Sequence, residues 1–395
     1  VLTIDLGAID ALLSLDEGSQ LATFGAGVRG PVLEALLNER GYTLGHFPQS
    51  FEHSTLGGWV ATRSSGQQSI RYGRIEQLFA GGRLESPAGT LEMPPFPASA
   101  AGPDLRELVL GSEGRMGVLT EATVRVVPKP EEEAFHAVFF PGWEEGVEAT
   151  RRIAQAGLPL AMLRLSTAEE TATNLAMAGH RRLLAALEKG LAVMGAGAGK
   201  CMLVVGFAGR PALVQAARKE ALGLARQERG VHVGRTFGKQ WHKNRFRSPY
   251  LRNTLWERGY AVDTFETALT WTKVPGYVAA VTAAIRDGLA PEGERVHVFT
   301  HLSHLYPSGS SAYTTYLFRL PKDPEVSLAR WRRLKEAASK TIVERGGTIS
   351  HQHGVGVDHL PYLEAEKGRL GMQALQQTFR LFDPAGVMNP GKLIA

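Results

Sequence analysis

The sequence has one cysteine, Cys201, in 395 residues. A single thiol excludes an intrachain disulfide framework and any Cys-x-x-Cys metal site, and it points to a reducing interior, so cytoplasmic placement is expected. No apolar run reaches the ~20 residues of a membrane-spanning helix. The nearest, residues 191–207, is glycine-rich and broken by Lys200. No basic leader precedes an apolar stretch, so no secretory signal is expected. The chain opens on VLTIDLGAID, without an initiator methionine and in what reads as mid-domain strand, so residues upstream of Val1 are expected in the gene product. Long runs of one charge are lacking too. The 44 Lys+Arg against 39 Asp+Glu leave a net charge of +5, and the densest basic cluster is WHKNRFRSPYLR, residues 241–252. That excludes a nucleic-acid reader and suffices for a local anion pocket. With 44% hydrophobic and 21% charged residues the chain is globular, and it is long enough for two or three domains.

What the sequence does have is a stretch over residues 48–74, PQSFEHSTLGGWVATRSSGQQSIRYGR, dense in Ser, Thr, Gly and Arg. Gly57-Gly58 permits a sharp turn or a close approach of backbone to a ligand. Ser50, Ser54, Thr55, Thr62, Ser64 and Ser65 offer hydroxyls, and Arg63, Arg71 and Arg74 offer forked cations suited to phosphate. Such a stretch is either an ordinary surface loop with a hairpin or one wall of a site for a large polar ligand. A second glycine pattern, Gly25-Ala-Gly27-Val-Arg-Gly30, matches the dinucleotide fingerprint G-x-G-x-x-G. Its context argues against that use, because the helix after it leads into GHFPQS at 45–50 rather than a buried strand ending in Asp or Glu.

Short strands are expected at 2–6 and 20–24, and a helix opens at Pro31 and closes at Gly41. A hairpin over 77–91, a Pro/Ala-rich loop over 93–103 and a strand over 118–127 follow, and PKPEEE at 128–133 reads as a linker. Beyond it strands are expected near 135–140, 160–166, 201–207, 263–270, 295–300, 312–319 and 347–351. Helices are expected near 143–156, 168–188, 211–228, 274–288, 327–345 and 364–381. The second part is thus an antiparallel sheet covered by helices, and the tail from Asp383 is a turn-rich closure.

Three blocks carry a resemblance: PQSFEHSTLGGWVATRSSGQQSIRYGRIEQL, GPDLRELVLGSEGRMGVLTEATVRVVP, and TISHQHGVG with the downstream DPAGVMNPGKLI. The chain resembles flavoproteins of the vanillyl-alcohol oxidase type. The third block, with FETALTW at 265–271, resembles the alkyldihydroxyacetonephosphate synthase branch, the ether-lipid enzymes. The resemblance implies an α+β protein with a PCMH-type FAD-binding domain at 1–133, an α/β cap domain at 134–350, and a C-terminal segment at 351–395 that returns to the FAD domain. FAD is the implied cofactor. By similarity its site is lined by Pro48, Gln49, Ser50, Phe51, Glu52, His53 and Ser54, by Ala61, Thr62, Arg63 and Ser64, and by Gly111, Ser112, Glu113, Gly114, Arg115, Met116 and Gly117. Glycine-rich turns of this kind often form anion-binding nests, although GSEGRMG also reads as a tight connection between two strands.

The resemblance further implies Tyr313 as the catalytic base. A phenol has an ordinary pKa of about 10, so this role needs positive charge or hydrogen-bond donors nearby. His351 and His353, two apart, share a face of an extended backbone and are expected to tune it, with Arg164 as electrostatic support. Arg252, in SPYLRNTLW, is implied as the phosphate clamp, since a guanidinium grips phosphate bidentately. Without the resemblance, Tyr313 reads as an aromatic on a strand and each arginine as a solvated charge. A metal cluster of His301, His304, His351 and His353 is the alternative for the histidines. His-x-x-His on a strand-like segment splits across two faces and no carboxylate is near in sequence, so no metal is expected.

The implied reaction replaces the acyl group of acyl-dihydroxyacetone phosphate by a fatty alcohol through a flavin N5 adduct, with no net oxidation. Two departures stand against it. The family has three consecutive histidines where this chain has His351-Gln352-His353, and a glutamine carries no proton as an acid–base group. The family's Pro-Gly-Gly-Gly-type pyrophosphate loop, which precedes the strand equivalent to 1–6, is not in the sequence. The alternatives are an FAD-linked dehydrogenase or oxidase of a 2-hydroxy acid or related small alcohol, and a non-catalytic remnant. The expected partner is a small-molecule or lipid-like phosphate substrate and no nucleic acid. Peripheral membrane contact and a homodimer are both compatible with that substrate.

Overall fold

A computed structural model describes residues 2–177 and 181–394, and the chain divides into two compact units, Val1–Lys129 with Gln352–Ala395, and Pro130–His351. The sequence pattern sets the boundaries at 133 and 350. The first unit carries β1 (Leu12–Asp16), β2 (Leu21–Gly25), α1 (Gly30–Asn38), β3 (Tyr42–Thr43), α2 (Leu56–Thr62), α3 (Ser69–Tyr72), α4 (Ile75–Leu78), β4 (Phe79–Ser86), β5 (Gly89–Met93), α5 (Arg106–Val109), β6 (Val118–Arg125) and β7 (Val127–Pro128). Five strands form an antiparallel sheet in the order β1-β2-β6-β4-β5, and β3 pairs with β7.

No strand forms over 2–6; that segment is irregular, and β1 begins at Leu12. The glycines of the G-x-G-x-x-G pattern explain its path. The amides of Gly25 and Gly27 donate to the carbonyls of Ala11 (2.9 Å) and Ile9 (2.8 Å). A Cβ at Gly25 would lie 2.5 Å from the Ile9 carbonyl oxygen, and one at Gly27 only 1.8 Å from that of Leu6. Gly30 in turn lies under the Phe51 ring, 2.5 Å from where its Cβ would be. The pattern therefore lets backbone pack on backbone. Strand β2 has antiparallel neighbours on both sides, which is not the start of a parallel dinucleotide-binding unit.

The second unit carries β8 (Glu132–Phe140), α6 (Trp143–Gln155), β9 (Leu160–Ser166), α7 (Ala168–Met177), α8 (Arg181–Val193), β10 (Cys201–Gly209), α9 (Pro211–Gln227), β11 (Val231–His232), α10 (Thr236–Asn244), α11 (Ser248–Glu257), β12 (Tyr260–Thr270), α12 (Val274–Asp287), β13 (His297–Leu302), β14 (Leu305–Tyr306), β15 (Gly309–Arg319) and α13 (Pro324–Glu344). Helix α14 (Leu363–Phe382), interrupted at Gly368 (φ 66°), belongs to the first unit. The strands form an antiparallel sheet in the order β11-β8-β10-β9-β13-β15-β12, with β14 paired to β15. Every residue of β10 is buried, so both sheet faces are covered. On one face Phe135, Phe139, Met162, Met202 and Val204 pack with Leu175 of α7, Leu191 of α8 and Phe237 and Trp241 of α10. On the other lies α6, where a Cβ at Gly146 would sit 3.0 Å from the Leu165 side chain. Burial pushes the Cys201 thiol up to about 12, which makes it inert.

Two further local expectations, over 168–188 and 347–351, are corrected. The single helix expected over 168–188 is α7 and α8, with 178–180 outside the described residues. Helices α10 and α11 occupy the basic cluster, where Trp241 and His242 face Phe135 with ring centroids 5.4 and 4.9 Å away; a charge pattern hides that apolar anchor. Residues 347–351 are not a strand. Thr348 donates to the Ala268 carbonyl and His351 to that of Glu266, both at 3.2 Å. Three steps on one side thus answer two on β12, and no ladder propagates. Among the described residues no helix is long and apolar enough to cross a membrane.

Candidate active site

In the first unit the blocks expected to line a cofactor come together through backbone bonds. Residues 48–54 form a turn in which the amides of His53 and Ser54 donate to the Ser50 carbonyl (2.9 Å each) and that of Phe51 to Pro48 (3.1 Å). Phe51 and Pro48 are buried, Gln49 is half-buried, and Ser50, Glu52 and His53 are exposed. Ser54 accepts from the Trp59 indole at 2.7 Å. Thr55 caps α2, which ends on Arg63 in the left-handed region (φ 51°). The Thr62 hydroxyl returns to the Gly58 carbonyl at 2.9 Å, Arg63 pairs with Glu107 at 2.9 Å, and the Ser64 hydroxyl lies 3.2 Å from His46 Nε2. Burial, and then Arg74, lowers His46 to about 3, so this imidazole is neutral.

The 111–117 turn lies directly on the end of α2. The Gly111 amide donates to Val60 (3.0 Å) and the Glu113 amide to Ala61 (2.9 Å). Ser112, Arg115 and Met116 are buried; Arg115 holds the Met388 carbonyl at 2.5 Å. Glu113 gathers the C-terminal segment, accepting from the amides of Val355 and, at 2.9 Å, Gly356. Gln352 accepts from the Ser65 amide at 3.2 Å, so the residue that replaces a family histidine ties its segment to the 61–65 wall.

These residues suit a dinucleotide. Gly114, at φ 74°, opens on space, where a Cβ would meet nothing closer than Asn389 at 3.9 Å, whereas one at Gly117 would lie 2.3 Å from the Glu85 carbonyl oxygen. Exposed Gly58 and open Gly114 thus present bare backbone beside hydroxyls and arginines. The buried Nε of Arg71 meets no acceptor among the described residues, a cationic donor fitted to a phosphate-bearing ligand.

In the second unit, strand register assembles a polar row that no local pattern shows. Ser166 on β9 is opposite His301 on β13, His301 is opposite Tyr313 on β15, and Tyr313 is opposite Glu266 on β12. Directly paired residues share a face, so this one row crosses four strands. Tyr313 stacks on His301, with centroids 5.0 Å apart and planes at 15°. Arg164, also on β9, donates to Ser166 Oγ (2.9 Å) and Glu170 Oε1 (2.5 Å), and its guanidinium lies 3.0 Å from His301 Nδ1. Glu170, on α7, is itself 3.0 Å from that nitrogen. Burial would raise Glu170, but Arg164 and His301 outweigh it and hold the carboxyl near 2. Burial and Arg164 lower His301, against the pull of Glu170. Burial raises the Tyr313 phenol well above its ordinary value, with Arg164 a smaller opposing influence.

The remaining sequence-predicted residues are placed differently from the pairing expected of them. His351 is buried and closes the second unit, with Nε2 2.6 Å from the Tyr306 hydroxyl; His353 is exposed and belongs to the first unit. Without a strand over 347–351, the shared extended face does not exist. Arg252 is exposed on α11 and makes no ion pair among the described residues. Sequence reasoning missed Glu170 and Glu266. The signal for Glu266 was an acid inside the strand-like VDTFETALTW; for Glu170 there was none, because its partner Arg164 sits on another element.

The family of FAD linked oxidases, C-terminal domain, matches residues 129–393, and the FAD binding domain family matches residues 1–93. The alkyldihydroxyacetonephosphate synthase of Trypanosoma brucei brucei is 29% identical over 100% of this chain, and that of Dictyostelium discoideum 30% over 99%. The chain spans 65% of the length of each of these two relatives. A solved alkyldihydroxyacetonephosphate synthase superposes with a TM-score of 0.82 at 27% identity, over 98% of this chain and 68% of its own.

Proposed function

Because the chain belongs to the FAD-linked oxidase family, with FAD as its cofactor, we propose that it is the larger part of an alkyldihydroxyacetonephosphate synthase of ether-lipid biosynthesis. The reaction joins acyl-dihydroxyacetone phosphate and a fatty alcohol, releasing a fatty acid and leaving an ether in place of the ester. The observation that carries this reading is the Ser166–His301–Tyr313–Glu266 row with Arg164 beside it: a buried phenol in register with an imidazole and a carboxylate.

Tyr313 takes the proton from the carbon bearing the acyl ester and returns it after the exchange. Its raised pKa means that this step leans on the positive charge of Arg164 and the orientation given by His301. Exposed Arg252 is the phosphate clamp. Residues 48–54, 61–64 and 111–117 would hold FAD, which when bound would supply an electrophilic centre for the dihydroxyacetone-phosphate carbon that exchanges its acyloxy group for the alkoxy group. Lipid-like substrates bring the protein to a membrane surface, which cosedimentation with vesicles checks.

The test is incorporation of labelled fatty alcohol into acyl-dihydroxyacetone phosphate by the full-length protein. Tyr313→Phe should lower turnover about 100- to 10,000-fold with FAD uptake unchanged. Wild-type protein that holds FAD but incorporates no alcohol would overturn the reading. A second reading rests on Gln352, whose oxygen is committed to the Ser65 amide where the family has an acid–base group. It makes the protein a dehydrogenase or oxidase of a 2-hydroxy acid, and bleaching of the flavin spectrum by such an acid without alcohol incorporation would select it.

A further inference from the structure

Glu266 on β12, His304 between β13 and β14, and His351 after α13 converge in the second unit, with one ligand atom of each lying within 4.8 Å of the others. Glu266 Oε1 is 3.5 Å from His351 Nδ1 and 3.8 Å from His304 Nε2. The three side chains are 0%, 4% and 1% exposed in the order Glu266, His304, His351. We propose that these three residues form a binding site for a divalent transition-metal ion of the zinc class.

The distances favour a shared ion over direct pairing. A charge-assisted hydrogen bond between imidazolium and carboxylate would close to about 2.7–2.9 Å. Ligands each ~2.0–2.2 Å from a tetrahedral zinc stand about 3.3–3.6 Å apart, near what Glu266 shows to both histidines. The imidazoles of His304 and His351 stack at 5.0 Å and 26°. An ion seated between them and the carboxylate would take one ring nitrogen from each.

The surroundings are those of a built site. Tyr306 engages His351 Nε2 at 2.6 Å, which directs Nδ1 toward Glu266 and fixes the ring. Ser303 donates to Glu266 Oε1 at 3.2 Å. The backbones are anchored as well. The His351 amide donates to the Glu266 carbonyl (3.2 Å), and His304 and Ser311 exchange bonds, amide to Oγ at 3.0 Å and amide to carbonyl at 2.8 Å. Two histidines and one glutamate form a donor set that suits zinc, with an oxygen from water or another ligand to complete a four-coordinate shell. Glu266 is shared with the strand row of the reaction proposed above, so the test reads zinc binding rather than turnover and can fail while that reading stands.

Untagged full-length protein, stripped with chelator and reloaded with zinc chloride, is passed through gel filtration and its metal measured by mass spectrometry, with affinity from competition against a chromogenic chelator. One zinc per chain is expected in the wild type and none in Glu266→Gln or His304→Ala. Tyr306→Phe should keep the stoichiometry but bind about 10- to 100-fold more weakly. Circular dichroism checks folding, and Tyr306→Phe decides the matter if a ligand variant fails to fold. No zinc retained by the wild type, or affinity equal in wild type and Tyr306→Phe, would overturn the site.

Discussion

Glu170 and Glu266 are both buried carboxylates, the first beside the row of strand residues and the second within it, and each faces imidazole. Glu170 has a guanidinium at 2.5 Å and one imidazole at 3.0 Å, hydrogen-bond distances that neutralise it within the protein. Glu266 has two imidazoles at 3.5 and 3.8 Å and a hydroxyl at 3.2 Å. A buried carboxylate must be compensated. The first is compensated by arginine at direct range; the second is surrounded at a range that admits an ion. Two environments on one sheet face can thus serve separate tasks, electrostatic support of Tyr313 on one side and cation binding on the other.

The largest effect should come from removing the guanidinium. Arg164→Met leaves Glu170 buried with only the His301 imidazole beside it and should cost about 3–5 kcal/mol in denaturant unfolding. Adding Glu170→Gln should recover much of that loss, a coupling that a double-mutant cycle measures. Next is the ion. Zinc at about 100 times its dissociation constant should stabilise the wild type by about 2.7 kcal/mol and Glu170→Gln equally, with no gain for Glu266→Gln; equal gains in all three would erase the distinction between the two carboxylates.

Acid should remove about 2 kcal/mol of the stabilisation that Glu170 contributes between pH 5 and 3. The folded Glu170 carboxyl sits near 2 against its ordinary 4.5. Its contribution is therefore full above the unfolded pKa and is lost as pH falls toward the folded one. Glu170→Gln should lack this component, visible as a flatter dependence of the urea midpoint on pH. The smallest effect is expected for Ser303→Ala, which removes one hydrogen bond to Glu266 and should cost about 1 kcal/mol.

The two units differ in how much of them the sequence disclosed. In the first, glycines and hydroxyls act within a few residues of where they stand, so the 48–74 and 111–117 blocks could be read as polar, glycine-rich turns, and the structure adds their mutual bonds. The G-x-G-x-x-G pattern misleads in isolation, because the partner that needs its bare backbone, residues 6–9, is a separate segment. In the second unit the long strands and helices were legible from periodicity, while the chemistry depended on pairing. Tyr313 and Arg164 were found through resemblance; Glu170 and Glu266 were not, since each meets its partners from another element.

By itself the sequence determined the FAD-oxidase type, the order of the main strands and helices, and the turns that suit a dinucleotide. Those properties are written in local backbone preference and in contiguous motifs. Only the tertiary structure decided that Ser166, His301, Tyr313 and Glu266 form one row, that His351 answers to Tyr306, and that His304 and His351 share a carboxylate. Strand register is the reason. A shift of one residue would turn every one of these side chains to the opposite face, and nothing within a single strand specifies which residue of another strand it will meet.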